Sequence, residues 1–153
     1  LDGLFFRAVF LRWGGKCIRC GAEPKVIVDR KGVIREQNLT PHHFFCRSYP
    51  GTKWEPNNGF LLCYPCHIKW AQVRHEEFRD FIIERIGNDS FQKLKYQAYN
   101  GTRPDLFAMK FYLTRKIELY ESTISSAAIE VPKSAMILRN GRKVSRDTMQ
   151  PLP

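Results

Sequence analysis

Four of the five cysteines in this 153-residue chain stand in two Cys-x-x-Cys turns, Cys17–Cys20 and Cys63–Cys66, with 42 residues between them. Each tight turn aims two thiolates at one point, and two turns together supply the donors of a tetrahedral structural zinc ion. Gly21 relieves the backbone just after the first turn. A redox dithiol would not usually come twice in so small a chain. Cys17, Cys20, Cys63 and Cys66 are therefore read as zinc ligands, and Cys46 as a partly buried free thiol left over. Three of the four histidines crowd the second turn: His42 and His43 in Thr40-Pro41-His42-His43-Phe44-Phe45-Cys46-Arg47, and His67 directly after Cys66. A neutral imidazole can ligate a metal or take a proton from water near pH 7. His75 has no such company and is read as helix surface.

These residues must be carried by local elements, and the hydropathy pattern supplies them. Asp2 can cap a short helix over Gly3–Trp13, stopped by Gly14-Gly15. Val26–Val28 and Val33–Arg35 flank Asp29-Arg30-Lys31-Gly32 as a hairpin. Residues 75–87 put Phe78, Phe81, Ile82 and Ile86 on one helical face. Asn88-Asp89-Ser90 offers caps for a second helix through Tyr99. Pro104 opens a third, with Leu106, Met109, Leu113, Ile117 and Tyr120 along one stripe. Beyond Ser126 the helical signal fades, and Ala135–Leu138 and Arg142–Val144 flank Asn140-Gly141 as a second hairpin. The fold class expected is α+β.

Composition limits the function. With 25 Lys+Arg against 15 Asp+Glu the chain carries +10 at neutral pH, which points to a polyanionic partner, nucleic acid first. Residues 1–73 carry 11 basic and 5 acidic side chains, residues 74–121 carry 9 and 8, and residues 122–153 carry 5 and 2. The excess thus lies in the first segment and the tail. At 43% hydrophobic the chain can bury a core, which excludes a wholly disordered basic tail. No run approaches eighteen apolar residues, so no membrane span is expected. The apolar run Leu4–Leu11 is broken by Arg7 and lacks a small-residue cleavage site, so it reads as a buried helix and not a signal peptide. Unpaired cysteines at ligand spacing favour a reducing, cytoplasmic compartment.

The order His-His, Asn, Cys-x-x-Cys-His resembles the HNH, or ββα-metal, endonucleases. His43 and Asn58 are separated by 14 residues, and Asn58 and His67 by 8, similar to the family's spacing. The resemblance covers about residues 17–73. A narrower likeness, through His43-Phe44, Arg47, Thr52-Lys53-Trp54, Asn58 and the second cysteine pair, is to the phage NinG/Rap recombination endonucleases, and extends to about residue 120. His67 departs from that subfamily, whose members often carry Asn there. His is the usual ligand in the wider group.

The resemblance implies a zinc-stabilised ββα-metal core over 1–73, with a preceding helix. A helical extension over 74–121, the candidate dimer surface, and a basic tail or hairpin arm over 122–153 are expected to follow. It implies hydrolysis of DNA phosphodiesters, and for the subfamily the nicking of branched recombination intermediates such as Holliday junctions inside a bacterial host. Such hydrolysis needs a base for water and a cation at the leaving oxygen. His43 is assigned as general base, with His42 and His67 as ligands of a catalytic Mg²⁺ or Mn²⁺. Asn58 is to fix the base-bearing loop, and Arg47 is to contact the scissile phosphate. Ala71 stands where some relatives carry a further histidine, which argues for a sparse His/water shell. Adjacent strand residues point to opposite faces, so His42 and His43 can share a site only at a twisted or ending strand. If one is merely structural, His42 is the one expected. Arg30, Lys31, Arg35, Lys53 and Lys69 are candidate phosphate contacts, and Trp54 a candidate base wedge for which a core role is the stronger expectation. Paired nicks on a four-way junction favour a homodimer. The competing expectations are a restriction, homing or packaging-type nicking enzyme on linear duplex, and a non-catalytic zinc module that only binds nucleic acid.

Overall fold

The computed structural model describes residues 1–28 and 34–126. Its elements are α1 (Asp2–Arg12), β1 (Lys25–Val28), β2 (Ile34–Gln37), β3 (Thr40–His43), β4 (Gly59–Leu62), α2 (Tyr64–Cys66) running into a π-helical turn over His67–Ala71, α3 (His75–Ile86), α4 (Asn88–Asn100) and α5 (Leu106–Ser126). The architecture is α+β, with two separate two-stranded antiparallel sheets. The first pairs β1 with β2 from Lys25↔Gln37 to Val28↔Ile34, where the sequence places a hairpin; β1 begins one residue earlier than expected, and β2 begins one residue later and ends two later. Arg30, Lys31 and the hairpin expected over 135–144 lie outside the described residues.

The second sheet positions the site. β3 and β4 pair in the register Thr40↔Leu62, Pro41↔Leu61, His42↔Phe60 and His43↔Gly59. All four residues of β4 are buried, as a short continuous apolar strand requires. The first cysteine turn is tied to this strand by Ile18 N–H donating to Leu61 O at 3.0 Å, and Gly21 completes it at φ 72°. The second turn follows β4 directly, so one strand serves both halves of the cysteine set.

Three layers meet across β4. α1 lies on one side, and a β-carbon on Gly59 would stand 2.3 Å from a Val9 methyl and 2.9 Å from the Phe5 ring, so only glycine lets the helix approach so closely. Trp13 Nε1–H locks the end of that contact on Gly59 O at 2.9 Å. α3 closes the other side with Phe78 and Ile82, both fully buried, and Phe78 meets the rings of Phe44, Phe60 and Trp70. Burying a phenylalanine of this kind contributes about 2–3 kcal/mol. α3 is therefore held to the core by packing, whatever ion the site takes.

α5 returns along α1 and buries Leu113 and Ile117 in the same core. Arg7 pairs with Glu121, and Tyr112 donates to Glu55 Oε2 at 2.9 Å. The expected stripe on α5 is buried only in its middle: Leu106 is 47% exposed, and Met109 and Tyr120 are half-buried. Two expected caps also differ. Asp2 makes no cap to α1, because both its oxygens bind side chains elsewhere. No side chain caps the start of α4. At α5 the capping oxygen is Asp105 Oδ1, which accepts from Ala108 N–H at 2.7 Å, one residue after Pro104. Among the described residues no helix is long and apolar enough to cross a membrane.

Candidate functional site

The four thiols of Cys17, Cys20, Cys63 and Cys66 lie within 4.8 Å of one another, with Cys20 and Cys63 Sγ 3.6 Å apart. Tetrahedral zinc with Zn–S bonds of about 2.3 Å requires sulfurs about 3.8 Å apart, so the donors fit such an ion. None is in a disulfide. Burial pushes the Cys63 and Cys66 thiols up. At Cys17 burial also pushes up but is outweighed by backbone hydrogen bonds at Cys20, Cys63 and Arg19, which bring it down to about 7. So many thiols in so small a space ionise together only around a cation. The cluster can hold a structural metal such as zinc. Cys46 takes no part: it is exposed, contrary to the partial burial expected, and sits 2.8 Å from Ser48 Oγ.

Cys66 and His67 are neighbours at the start of one helical segment, where consecutive side chains diverge by about 100°. Cys66 faces the thiols, and His67 packs edge-on against His42 with ring centroids 4.8 Å apart. His67 Nδ1 lies 3.5 Å from Thr40 Oγ1, which leaves its Nε2 open. His42 also meets Phe78 edge-on at 5.1 Å. A centroid spacing of 4.8 Å is that of an ordinary edge-to-face ring contact, and it is also within the range of about 4.5–5.2 Å for two imidazoles on one ion. The π-helical turn begins at His67, whose carbonyl accepts from Gln72 N–H at 3.2 Å. Ala71, the last residue of that turn, is fully buried and offers no third donor.

His43 faces away from that pair. Its ring stacks on Phe5 of α1 at 4.6 Å, and its Nε2 lies 2.9 Å from Lys53 O. A carbonyl only accepts, so Nε2 carries the proton and Nδ1 keeps its lone pair. Burial holds all three histidines below the ordinary imidazole range. The effect brings His42 to about 4, with the neighbouring His67, His43 and His75 adding to it. At His43 the Lys53 hydrogen bond and the Asp2 carboxylate push the other way, while Arg47 and Lys53 add to the lowering. All three rings are neutral at pH 7.

The segment between β3 and β4 is stitched by Asn58, which is fully buried. Its Oδ1 accepts from Phe45 N–H at 2.8 Å, and its Nδ2 donates to Phe45 O at 2.8 Å and Thr52 O at 3.1 Å. The Asn therefore closes the loop that presents Lys53 O to His43. Arg47 donates to Asp2 Oδ2 at 2.8 Å, and Trp54 Nε1–H donates to Asp2 Oδ1 at 2.8 Å. Trp54 is 8% exposed, so it belongs to the core, with Lys53 Nζ 4.5 Å over its ring. Lys69 is exposed on the π-helical turn, His75 is exposed at the start of α3, and Arg35 lies in β2 opposite Ile27.

The structure thus forms two adjoining sets: His42 with His67, and His43 with Arg47, Lys53 and Trp54. Asp2, Phe5 and Thr40 were not among the site residues read from the sequence, Asp2 being read there only as a helix cap. Only Thr40 carried a signal, as the hydroxyl opening the histidine strand. Comparison with protein-family models, curated proteins and solved structures finds no match for the chain.

Proposed function

We propose that the chain is a metal-dependent endonuclease of the HNH type that hydrolyses DNA phosphodiester bonds, with branched DNA as its preferred substrate. The observation that carries this reading is the pair of neutral, ligand-spaced imidazoles, His42 and His67, beside a third, His43, whose Nε2 is held by Lys53 O. The His42/His67 pair would hold Mg²⁺ or Mn²⁺, the cation stabilising charge on the leaving oxygen when bound. Two nitrogen donors suit Mn²⁺ better than the harder Mg²⁺.

His43 accepts a proton from water at Nδ1. Lys53 O and the Phe5 ring hold the imidazole in the orientation and tautomer that leave this atom free. Asn58 keeps the loop closed, so that the carbonyl stays under the ring. Arg47 lies on the same side as His43 and supplies positive charge for the phosphate. The net +6 of residues 1–73 supports a polyanionic substrate. Cutting both strands of a four-way junction needs two such sites, and Phe107 and Phe111 of α5, 82% and 64% exposed, give a second copy an apolar face.

The test is a panel of matched linear, forked and four-way DNA with Mg²⁺ or Mn²⁺, run with wild type and His43→Ala. Loss of the base should slow cleavage by about 10²–10⁴-fold. Unchanged cleavage by His43→Ala would remove the assigned base. Equal cutting of linear and branched duplex would remove the branched preference. Binding without any cleavage would leave a zinc nucleic-acid-binding module.

A further inference from the structure

We infer that Asp2 is a positioning residue for this site, acting through Trp54 and Arg47 on the loop that holds His43; the inference rests on the endonuclease reading. Its carboxylate is used at both oxygens, Oδ1 by the indole N–H of Trp54 and Oδ2 by the guanidinium of Arg47, each at 2.8 Å. The two contacts have different characters. Trp54 is buried, so its N–H needs an acceptor and fixes the carboxylate in place. Arg47 and Asp2 side chains are 57% and 67% exposed, so their ion pair adds little stability by itself. What it supplies is direction: with one oxygen anchored on the indole, the other holds the guanidinium on the His43 side.

The same turn of α1 reaches the imidazole directly. Phe5, three residues after Asp2, stacks on His43, and Lys53, next to Trp54, lends its carbonyl to His43 Nε2. One helical turn therefore touches the ring, the residue beside its carbonyl anchor, and the cation expected at the phosphate. A first-turn aspartate ordinarily serves its own helix end. Here it makes no such cap and serves two partners 45 and 52 residues away.

The rival account is that Asp2 merely neutralises Arg47 and must be displaced by the phosphate. The two accounts differ in sign. The experiment uses the full chain, Mn²⁺ and a four-way junction, with wild type, Asp2→Asn, Asp2→Ala, Arg47→Ala and the Asp2→Ala/Arg47→Ala double variant. Positioning predicts that Asp2→Ala lowers kcat by about 10–100-fold with KM nearly unchanged. Asp2→Asn keeps an acceptor for Trp54, lies between, and guards against a simple folding failure. In the Arg47→Ala background most of the Asp2→Ala effect should vanish. Faster cleavage or tighter DNA binding by Asp2→Ala, or losses that multiply fully in the double variant, would overturn the inference.

A second readout needs no activity. In metal-free buffer with the zinc retained, the His43 imidazole proton resonance should move in Asp2→Ala, while that of exposed His75 stays in place. An unmoved His43 resonance overturns the inference even if wild type cuts no DNA, an outcome that would separately end the endonuclease reading.

Discussion

Asn58→Ala should be among the most destabilising single substitutions in the chain, because it removes three hydrogen bonds at a point without solvent. The amide bridges Phe45 N–H, Phe45 O and Thr52 O, and the residue is 0% exposed. Alanine would leave Phe45 N–H and Phe45 O without a partner, while Thr52 O keeps its bond from Glu55 N–H at 3.2 Å; each ordinary bond contributes about 1 kcal/mol and each orphaned buried group costs about 1–3 kcal/mol. Allowing for partial relaxation, the expected loss is about 3–5 kcal/mol, a large share of the roughly 5–15 kcal/mol typical of a domain. Equilibrium urea unfolding measures it directly. With a slope of about 2 kcal/mol per M, the midpoint should fall by roughly 1.5–2.5 M. Asn58→Asp gives a further check, since it keeps the acceptor for Phe45 N–H but sets a buried carboxylate oxygen against two carbonyls. It should be no more stable than Asn58→Ala. A loss below about 1 kcal/mol for alanine, or a near-native aspartate variant, would refute the view that this amide closes the loop.

Purified protein should contain about one zinc per chain, and Cys66→Ser should lose it and unfold at lower urea; a stable, zinc-free wild type would dismiss the four-thiol centre. Thr52 Oγ1 is fully buried with no hydrogen-bond partner, so Thr52→Val should be neutral or stabilising by about 1 kcal/mol, and a clear loss of thermal stability would contradict this. His42, held near 4 against about 6.5 unfolded, is protonated first in the unfolded chain. Its contribution is therefore complete above about pH 6.5 and is lost as pH falls toward 4, by roughly 3 kcal/mol at most. Comparing wild type with His42→Phe by urea unfolding across that window isolates the effect from the thiols; parallel pH curves would exclude it.

How much of this was legible in the sequence depends on how local the cause is. The cysteine turns were readable because each pair is set by three bonds of chain geometry, and only the joining of the two pairs needed the fold. Helix α3 followed from the spacing of Phe78, Phe81, Ile82 and Ile86; α4 was read from Asn88-Asp89-Ser90 as caps, which do not form, and it is held by the buried Phe91 and Leu94. Asp2 was misread for the opposite reason. A first-turn aspartate has a good local use, and nothing nearby shows that Trp54, 52 residues on, has a buried N–H in need of an acceptor. The π-helical turn at His67–Ala71 was equally invisible, since its residues carry the same apolar pattern as an α-turn. The relation of His42 to His43 was half legible. Strand alternation predicts opposite faces, but only the placement of His67 and Phe5 says which imidazole has which neighbour.

The packing of α5 along α1 has a consequence for the order of assembly. The helix that carries Asp2 and Phe5 is made before the strands it packs on, yet the helix that covers it begins more than 90 residues after it ends. The cysteine turns, the β3–β4 pair and α3 can settle from nearer neighbours, so closure of α1 against α5 is a late event with a large loop to close. The α1–α5 contact would then be the last to form, after Phe5 has met His43 on β3, and a nascent chain could assemble its four-thiol core well before its first helix is covered.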